Sequence, residues 1–403
     1  MGCAPVSIFA HETQGLIYGE VHTVDGRIYR GVIRWGIEEA YWDDLFIAKK
    51  ADHVAFAYLS GDQIHQLGKK ERASEKVDWG FWSLWETAQP KHKPAFRCRF
   101  GEIAGIQVTG PQSATLTLKD GQHQKLIGAS NDIGTWIYVT DQADVRTKIL
   151  WERIDHIVFL PTPDSPVSQP VQPLYGTVFT TQGAFKGYIQ WDREEELSSD
   201  LLEGKSQGRK RGVPFGEIQE IRQSGEGVDI LLWNGEKFWL GESDDASPSN
   251  HGIIVKNLML GSVLVTWEQF RFVRFSETPA QPAPSYADFA IPKVLFGRIE
   301  LQDGEALQGR MIFDLDETYD FELIEGRQDG ISYFIPLRNV KQIERRGPEF
   351  CAVLLHNGDK LFLGGEHDVS DRNWGLLLWD AADQQHVIDW TEINRIQFDR
   401  PSK

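Results

Sequence analysis

The sequence predicts an all-β protein made of three tandem repeats, each about 105 residues long and folded as a small barrel or sandwich of short strands. The first observation behind this prediction is a motif that occurs three times. In each copy a glycine is followed by an aromatic residue four positions later, a glutamate four positions after that and a leucine six further on. The three copies are Gly31, Trp35, Glu39 and Leu45; Gly187, Trp191, Glu195 and Leu201; and Gly309, Phe313, Glu317 and Leu323.

The second observation is a hairpin pattern in the first half of each repeat. Apolar and polar residues alternate on both sides of Asp25-Gly26, and Asp-Gly between alternating segments is typical of a two-residue β-turn. The corresponding turns are Gln182-Gly183 and Asp303-Gly304.

The third observation is that the second half of each repeat also recurs. It contains another tight turn, at Asp120-Gly121, Asn234-Gly235 and Asn357-Gly358, and the strand after the turn ends at a glycine. An aspartate follows that glycine four residues later, at Asp132, Asp245 and Asp368, and a tryptophan near the end of the repeat lies at Trp151, Trp267 and Trp390.

The predicted domain boundaries follow from the proline content. Repeat one covers residues 15–160, repeat two 174–275 and repeat three 293–399. The stretches between them, 161–173 and 276–292, contain half of the chain's 18 prolines. Proline-rich connections are stiff and extended, so we expect three separate units held apart by two short spacers.

Repeat one differs from the others by an insertion at about residues 46–99, which is rich in lysine and arginine. It also contains a cluster of aromatic residues, Trp79, Phe81, Trp82 and Trp85. If residues 74–89 form a helix, these aromatic side chains share one broad face. Such a face either covers a neighbouring core or contacts a partner, and the sequence favours neither.

Composition limits the functional classes. A net charge of −17 argues against general binding to nucleic acid or anionic lipid. No apolar run reaches the length of a membrane-spanning helix. Three widely spaced cysteines predict neither a disulfide framework nor a cysteine zinc site. The first residues contain no legible signal, so the compartment is open; removal of an upstream signal would make it the periplasm or the cell surface.

The acidic loops allow two interpretations. Converging carboxylates could bind Ca²⁺, and the candidate ligands are Asp132, Asp245 and Asp368. The spacing matches no known calcium loop, however, and an aspartate at this place can instead accept backbone N–H groups within a turn. We favour the turn and keep Ca²⁺ as the alternative cofactor.

Val21, Gly26, Tyr29, Gly31 and Ile33 resemble the first motif of Sm-like proteins. The resemblance covers about 25 residues in each repeat, and SH3-like barrels share the pattern. It implies a small β-barrel fold. The second Sm motif, with its Arg-Gly pair, has no counterpart in the chain, and residues of both motifs contact RNA in that family, so the resemblance is one of fold.

No catalytic signature is present: the chain has no GxSxG, HExxH or paired CxxC, and Ser199 stands where a phosphate-binding loop needs glycine. We therefore expect a non-catalytic binding or scaffold protein that contacts a protein partner through the aromatic insertion, in an oligomeric state the sequence does not define. The alternatives are a calcium-stabilised exported protein and a single-stranded nucleic-acid binder, and we expect nucleic acid less than protein.

Overall fold

The computed structural model describes residues 15–74, 93–128, 132–166, 172–277 and 283–399. Thirty strands and one α-helix, α1 (Gly61–Ser74), make up most of this part of the chain, and the strands lie in two large antiparallel sheets. The predicted all-β class is therefore confirmed. No described helix has the length and apolar content needed to cross a lipid bilayer. We refer to residues 15–160, 174–275 and 293–399 as segments one, two and three.

Segment one contains ten strands, which alternate buried and exposed side chains in the manner of sheets with one face on a core. They are β1 (Tyr18–Thr23), β2 (Ile28–Trp35), β3 (Leu45–Lys50), β4 (Ala95–Arg99), β5 (Ile103–Gly110), β6 (Ser113–Leu118), β7 (His123–Ile127), β8 (Ile137–Thr140), β9 (Arg146–Ile149) and β10 (Ile154–Phe159).

Segments two and three contain ten strands each. Those of segment two are β11 (Tyr175–Thr180), β12 (Gly183–Gln190), β13 (Leu201–Ser206), β14 (Arg209–Pro214), β15 (Ile218–Ser224), β16 (Gly227–Leu232), β17 (Lys237–Gly241), β18 (Ile253–Asn257), β19 (Gly261–Val265) and β20 (Phe270–Phe275). Those of segment three are β21 (Phe296–Leu301), β22 (Ala306–Ile312), β23 (Leu323–Gln328), β24 (Ile331–Pro336), β25 (Val340–Arg345), β26 (Phe350–Leu355), β27 (Lys360–Gly364), β28 (Leu376–Trp379), β29 (Gln385–Ile388) and β30 (Ile393–Phe398).

The strand order of segment one is β4-β3-β7-β6-β5-β10-β1-β2-β8-β9. In segment two the strand pairs give the corresponding order, β14-β13-β17-β16-β15-β20-β11-β12-β18-β19. In segment three they give β24-β23-β27-β26-β25-β30-β21-β22-β28-β29. The edge strand β19 pairs with the edge strand β24, which joins the sheets of segments two and three. The proposed domain boundaries themselves stay a prediction.

In each segment, antiparallel strands pair across the first predicted turn and across the second, so the predicted hairpins are present. Strands β1 and β2 pair across Asp25-Gly26, and Gly26 has a φ of +81°, which glycine adopts without strain. At Gly31, Gly187 and Gly309 glycine is required for a different reason, the close approach of a neighbouring strand. A Cβ there would lie 2.0, 2.1 and 1.8 Å from a backbone carbonyl oxygen of the neighbouring strand. Only glycine permits that approach.

The proline-rich connections do not hold the segments apart, so the expectation of separate units is wrong. In the second connection Tyr286 and Phe289 pack against the core of segment one, and the Tyr286 hydroxyl donates to the Ile103 carbonyl over 2.9 Å. In the first connection Thr162 donates to the Leu16 carbonyl over 2.6 Å. Apolar and hydrogen-bonding residues between the prolines dock these connections onto the sheets.

The predicted insertion boundaries at residues 46 and 99 are also wrong. Strands β3 and β4 pair with each other from Leu45–Arg99 to Lys49–Ala95, as β13 pairs with β14 and β23 with β24. The additional residues therefore lie between Lys50 and Ala95, where the other two segments have a short turn. Buried and more exposed side chains alternate along β3 and β4, as expected for strands with one face on the core.

Candidate functional site

The three predicted metal-binding aspartates occupy the same place in their segments and make the same hydrogen bond. Each accepts the backbone N–H of the third residue of a strand. The donor to Asp132 is Ile47, the donor to Asp245 is Glu203 at 2.7 Å, and the donor to Asp368 is Glu325 at 2.7 Å. The aspartates thus connect a loop to β3, β13 and β23, and they lie in three separate places.

The same loops fix the recurring tryptophans. The indole nitrogen of Trp35 donates to the carbonyl oxygen of Asp132 over 2.9 Å, and that of Trp191 donates to Asp245 over 2.9 Å. Both rings are fully buried. Phe313 has no N–H to offer, but the Asn373 side chain donates to the Asp368 carbonyl over 3.0 Å, as Asn250 donates to the Asp245 carbonyl over 3.3 Å. The recurrence of these residue types therefore has a structural explanation.

The recurring glutamates lie beside these aspartates. One carboxyl oxygen of Glu39, of Glu195 and of Glu317 is buried and has no hydrogen-bond partner within the described part of the chain. Burial, and then the neighbouring Asp245, raise the pKa of Glu195 to about 9. The pKa of Glu39 is raised by burial and by Asp132. With a pKa of about 9, Glu195 holds a proton at neutral pH, because a buried charge next to another carboxylate is unfavourable.

The described residues bring together two sets of side chains with metal-ligand spacing. One is Asp314, His367 and Asp368, and the other is Glu38, Glu39 and Asp132; within each set the ligand atoms lie within 4.8 Å of one another. Asp132 and Asp368 each join a set, whereas Asp245 joins neither. Each set offers three ligand atoms, while Ca²⁺ takes about six to eight oxygens. The metal role of the three aspartates stays a prediction.

A basic side chain lies within one set and another lies beside the second. His367 Nδ1 lies 2.5 Å from Asp314 Oδ2, and although burial opposes its charge, Asp314 raises the pKa of His367. In the other set Arg193 of segment two lies among the acids, where its charge interacts with Glu38 and Glu39. The His367–Asp314 contact connects two loops of segment three, and Arg193 offsets part of the negative charge of the other set.

A second recurring acid performs a task that sequence reasoning missed. Asp44, Asp200 and Glu322 each accept two backbone N–H groups of their own loop. Each also binds a cation from a different segment. Asp44 binds Lys256, Asp200 binds Arg34 at 2.9 Å, and Glu322 binds Lys50 at 2.6 Å.

The ion pairs of Lys50 and Lys256 are buried. The Lys50 side chain is 2% exposed and also bonds Asp316 at 2.9 Å, while the Lys256 side chain is 5% exposed and bonds Glu196 at 2.8 Å. Acidic neighbours raise the pKa of both lysines against the effect of burial. Removing one partner of such a buried pair typically costs about 3–5 kcal/mol. Lys256 thus links segment two to segment one, and Lys50 links segment one to segment three.

A cleft of about 330 Å³ opens beside Lys256, between segments one and two. Asp43 and Arg99 of segment one face Tyr175 and Tyr188 across it. The two tyrosine rings meet edge to face, with centroids 5.1 Å apart. The cleft presents charged groups of both signs together with aromatic rings.

The predicted partner-binding residues Trp79, Phe81, Trp82 and Trp85 lie outside the described residues. The structure does show how their insertion begins. A 3₁₀ turn, Val54–Tyr58, packs on segment three, where Ala55 is buried with Leu315 and Trp379. Tyr58 meets Trp379 edge to face at 4.9 Å. The first part of the insertion therefore covers a neighbouring core.

Comparison with family models, with curated proteins and with solved structures finds no match to this chain.

Proposed function

We propose that this chain is a non-catalytic binding protein in which three packed β-segments form a scaffold for the insertion between β3 and β4. The observation that carries the proposal is the position of that insertion. It replaces a hairpin turn, its start is anchored on segment three through the Val54–Tyr58 turn, and α1 then leads into the aromatic sequence. A fixed anchor reduces the conformational entropy that a binding segment loses when it meets a partner.

The chemistry of the insertion favours a protein partner. Tryptophan and phenylalanine are among the residue types that are enriched in protein interfaces. The aromatic residues Trp79, Trp82 and Trp85 have no counterpart in the other two segments, so packing common to the three segments does not explain them.

The experiment replaces residues 75–92 of the full chain by a Gly-Ser linker and compares quantitative partner capture with the wild type. A second variant, Trp79→Ala with Trp82→Ala and Trp85→Ala, keeps the length. Because β3, β4 and the Val54–Tyr58 anchor are unchanged, both variants should melt like the wild type and lose the captured proteins. The control, Trp233→Ala, removes a tryptophan that is 53% exposed in segment two and should change nothing. Undiminished capture by both insertion variants would refute the proposal.

A further inference from the structure

The structure shows that a sheet edge of this fold accepts a strand. In segment three β24 pairs with β23 on one side, and on the other side it receives β19 of segment two in the antiparallel register Ser262–Phe334, Val263–Tyr333 and Leu264–Ser332. All six side chains of β24 are buried. The added strand thus completes an edge that is otherwise apolar and open.

Strand β14 is the counterpart of β24 in segment two. It pairs with β13 in the same hairpin, and within the described residues no strand pairs with its other side, since the next strand, β15, pairs with β16 and β20. The pair Ser206–Arg209 closes the hairpin, and antiparallel pairing alternates, so the backbone groups of Lys210 and Gly212 point to the free edge. These residues correspond to Ser332 and Phe334, whose backbone groups face β19.

The free edge differs from the occupied one in charge. Strand β14 reads RKRGVP, and Arg209 and Lys210 are exposed. Arg211 lies over the Phe238 ring at 3.5 Å and pairs with Glu236 at 2.8 Å, so it is held in place. Basic residues on an edge discourage pairing with further copies of a like-charged strand. The other strands that pair on one side only within the described residues, β4, β9 and β29, read AFRCR, RTKI and QHVI and contain no acidic residue, so a second copy of this chain offers no acidic strand as the occupant.

We propose that β14 is a docking edge for an acidic, extended segment of a partner protein, which adds to the sheet as an antiparallel strand. The unpaired backbone groups would provide the hydrogen bonds, as in other cases of strand addition, and the three cations would select acidic side chains. This edge lies in segment two and does not depend on the insertion. The chain lacking residues 75–92 should bind the same segment, so the two proposals fail separately.

The test measures fluorescence anisotropy of a labelled peptide of about eight alternating Glu and Val residues with the full chain. We expect binding that weakens as salt is raised. The variant Arg209→Glu with Lys210→Glu should raise the Kd at least about tenfold, because two attractive charges become repulsive. The control Arg298→Glu reverses an exposed charge on β21, an internal strand of segment three, and should leave the Kd within about twofold.

A second measurement separates strand addition from charge attraction alone. Gly212→Pro removes one outward N–H and should abolish binding of the Glu-Val peptide. Hydrogen exchange on the wild type should show peptide-induced protection of the Lys210 and Gly212 amides. Absence of that protection, equal binding of a proline-containing acidic peptide, tighter binding of an oligonucleotide, or a peptide-independent dimer in sedimentation would each overturn the proposal.

Discussion

The substitution Lys50→Met tests the ion pairs between segments. The ammonium group of Lys50 lies 2.9 Å from Asp316 and 2.6 Å from Glu322, and its side chain is 2% exposed. Methionine fills a similar volume but leaves two buried carboxylates without their cation. We expect the free energy of unfolding to fall by about 3–5 kcal/mol, since breaking one side of a buried pair leaves an uncompensated charge.

The assay is urea unfolding monitored by tryptophan fluorescence. Adding Asp316→Asn and Glu322→Gln to Lys50→Met removes the stranded charges and should recover at least half of the loss, because a neutral replacement of a buried ion pair is often tolerated. Lys205→Met is the control. Its pair with Glu242 is exposed, at 40% and 57%, and should contribute less than about 1 kcal/mol. A loss below about 1 kcal/mol for Lys50→Met, equal to the control, would refute the reasoning.

Three further predictions concern recurring residues. Gly187→Ala should cost about 1–3 kcal/mol in thermal unfolding because its Cβ would lie 2.1 Å from a carbonyl oxygen, whereas Gly61→Ala, with open space around it, should cost less than about 0.5 kcal/mol. For Glu195, the folded-state pKa of about 9 exceeds the usual 4.5, so the folded protein keeps a proton that the unfolded chain releases. Stability should therefore be greatest below that lower value and fall as pH rises towards about 9, and Glu195→Gln should flatten this dependence; an unchanged slope would contradict it. Asp245→Ala should cost about 1–3 kcal/mol by removing the acceptor for the Glu203 N–H, with no effect of Ca²⁺ on the wild-type melt; a clear upward shift in Ca²⁺ would instead favour the metal interpretation.

The local structure was predictable because its causes are local. Asp-Gly and Asn-Gly turns need a positive φ, and their positions between alternating segments located the hairpins that the structure contains, such as those at Gly26 and Gly235. Asp132 and Asp245 accept backbone N–H groups, but across the fold and not within a turn as the sequence predicts. Their donors were not predictable, because these belong to strands more than 40 residues away.

The packing between segments was not predictable from the repeated pattern. The acids Asp44, Asp200 and Glu322 recur, but their partners Lys256, Arg34 and Lys50 come from different positions on β18, β2 and β3. Such an interface requires acids and cations from distant parts of the chain to meet, and a single sequence does not show which of them do. The proline content predicts extended spacers. Residues between the prolines, such as Phe289, nevertheless bury apolar surface and dock the second connection onto segment one.

Small-angle X-ray scattering of the full chain tests most directly the claim that the three segments form one packed body. A compact globular protein of this length should have a radius of gyration of about 22 Å and a single-peaked distance distribution. Lys50→Met should loosen that body and shift the curve. A radius above about 30 Å for the wild type, with separate peaks for separate units, would contradict the account.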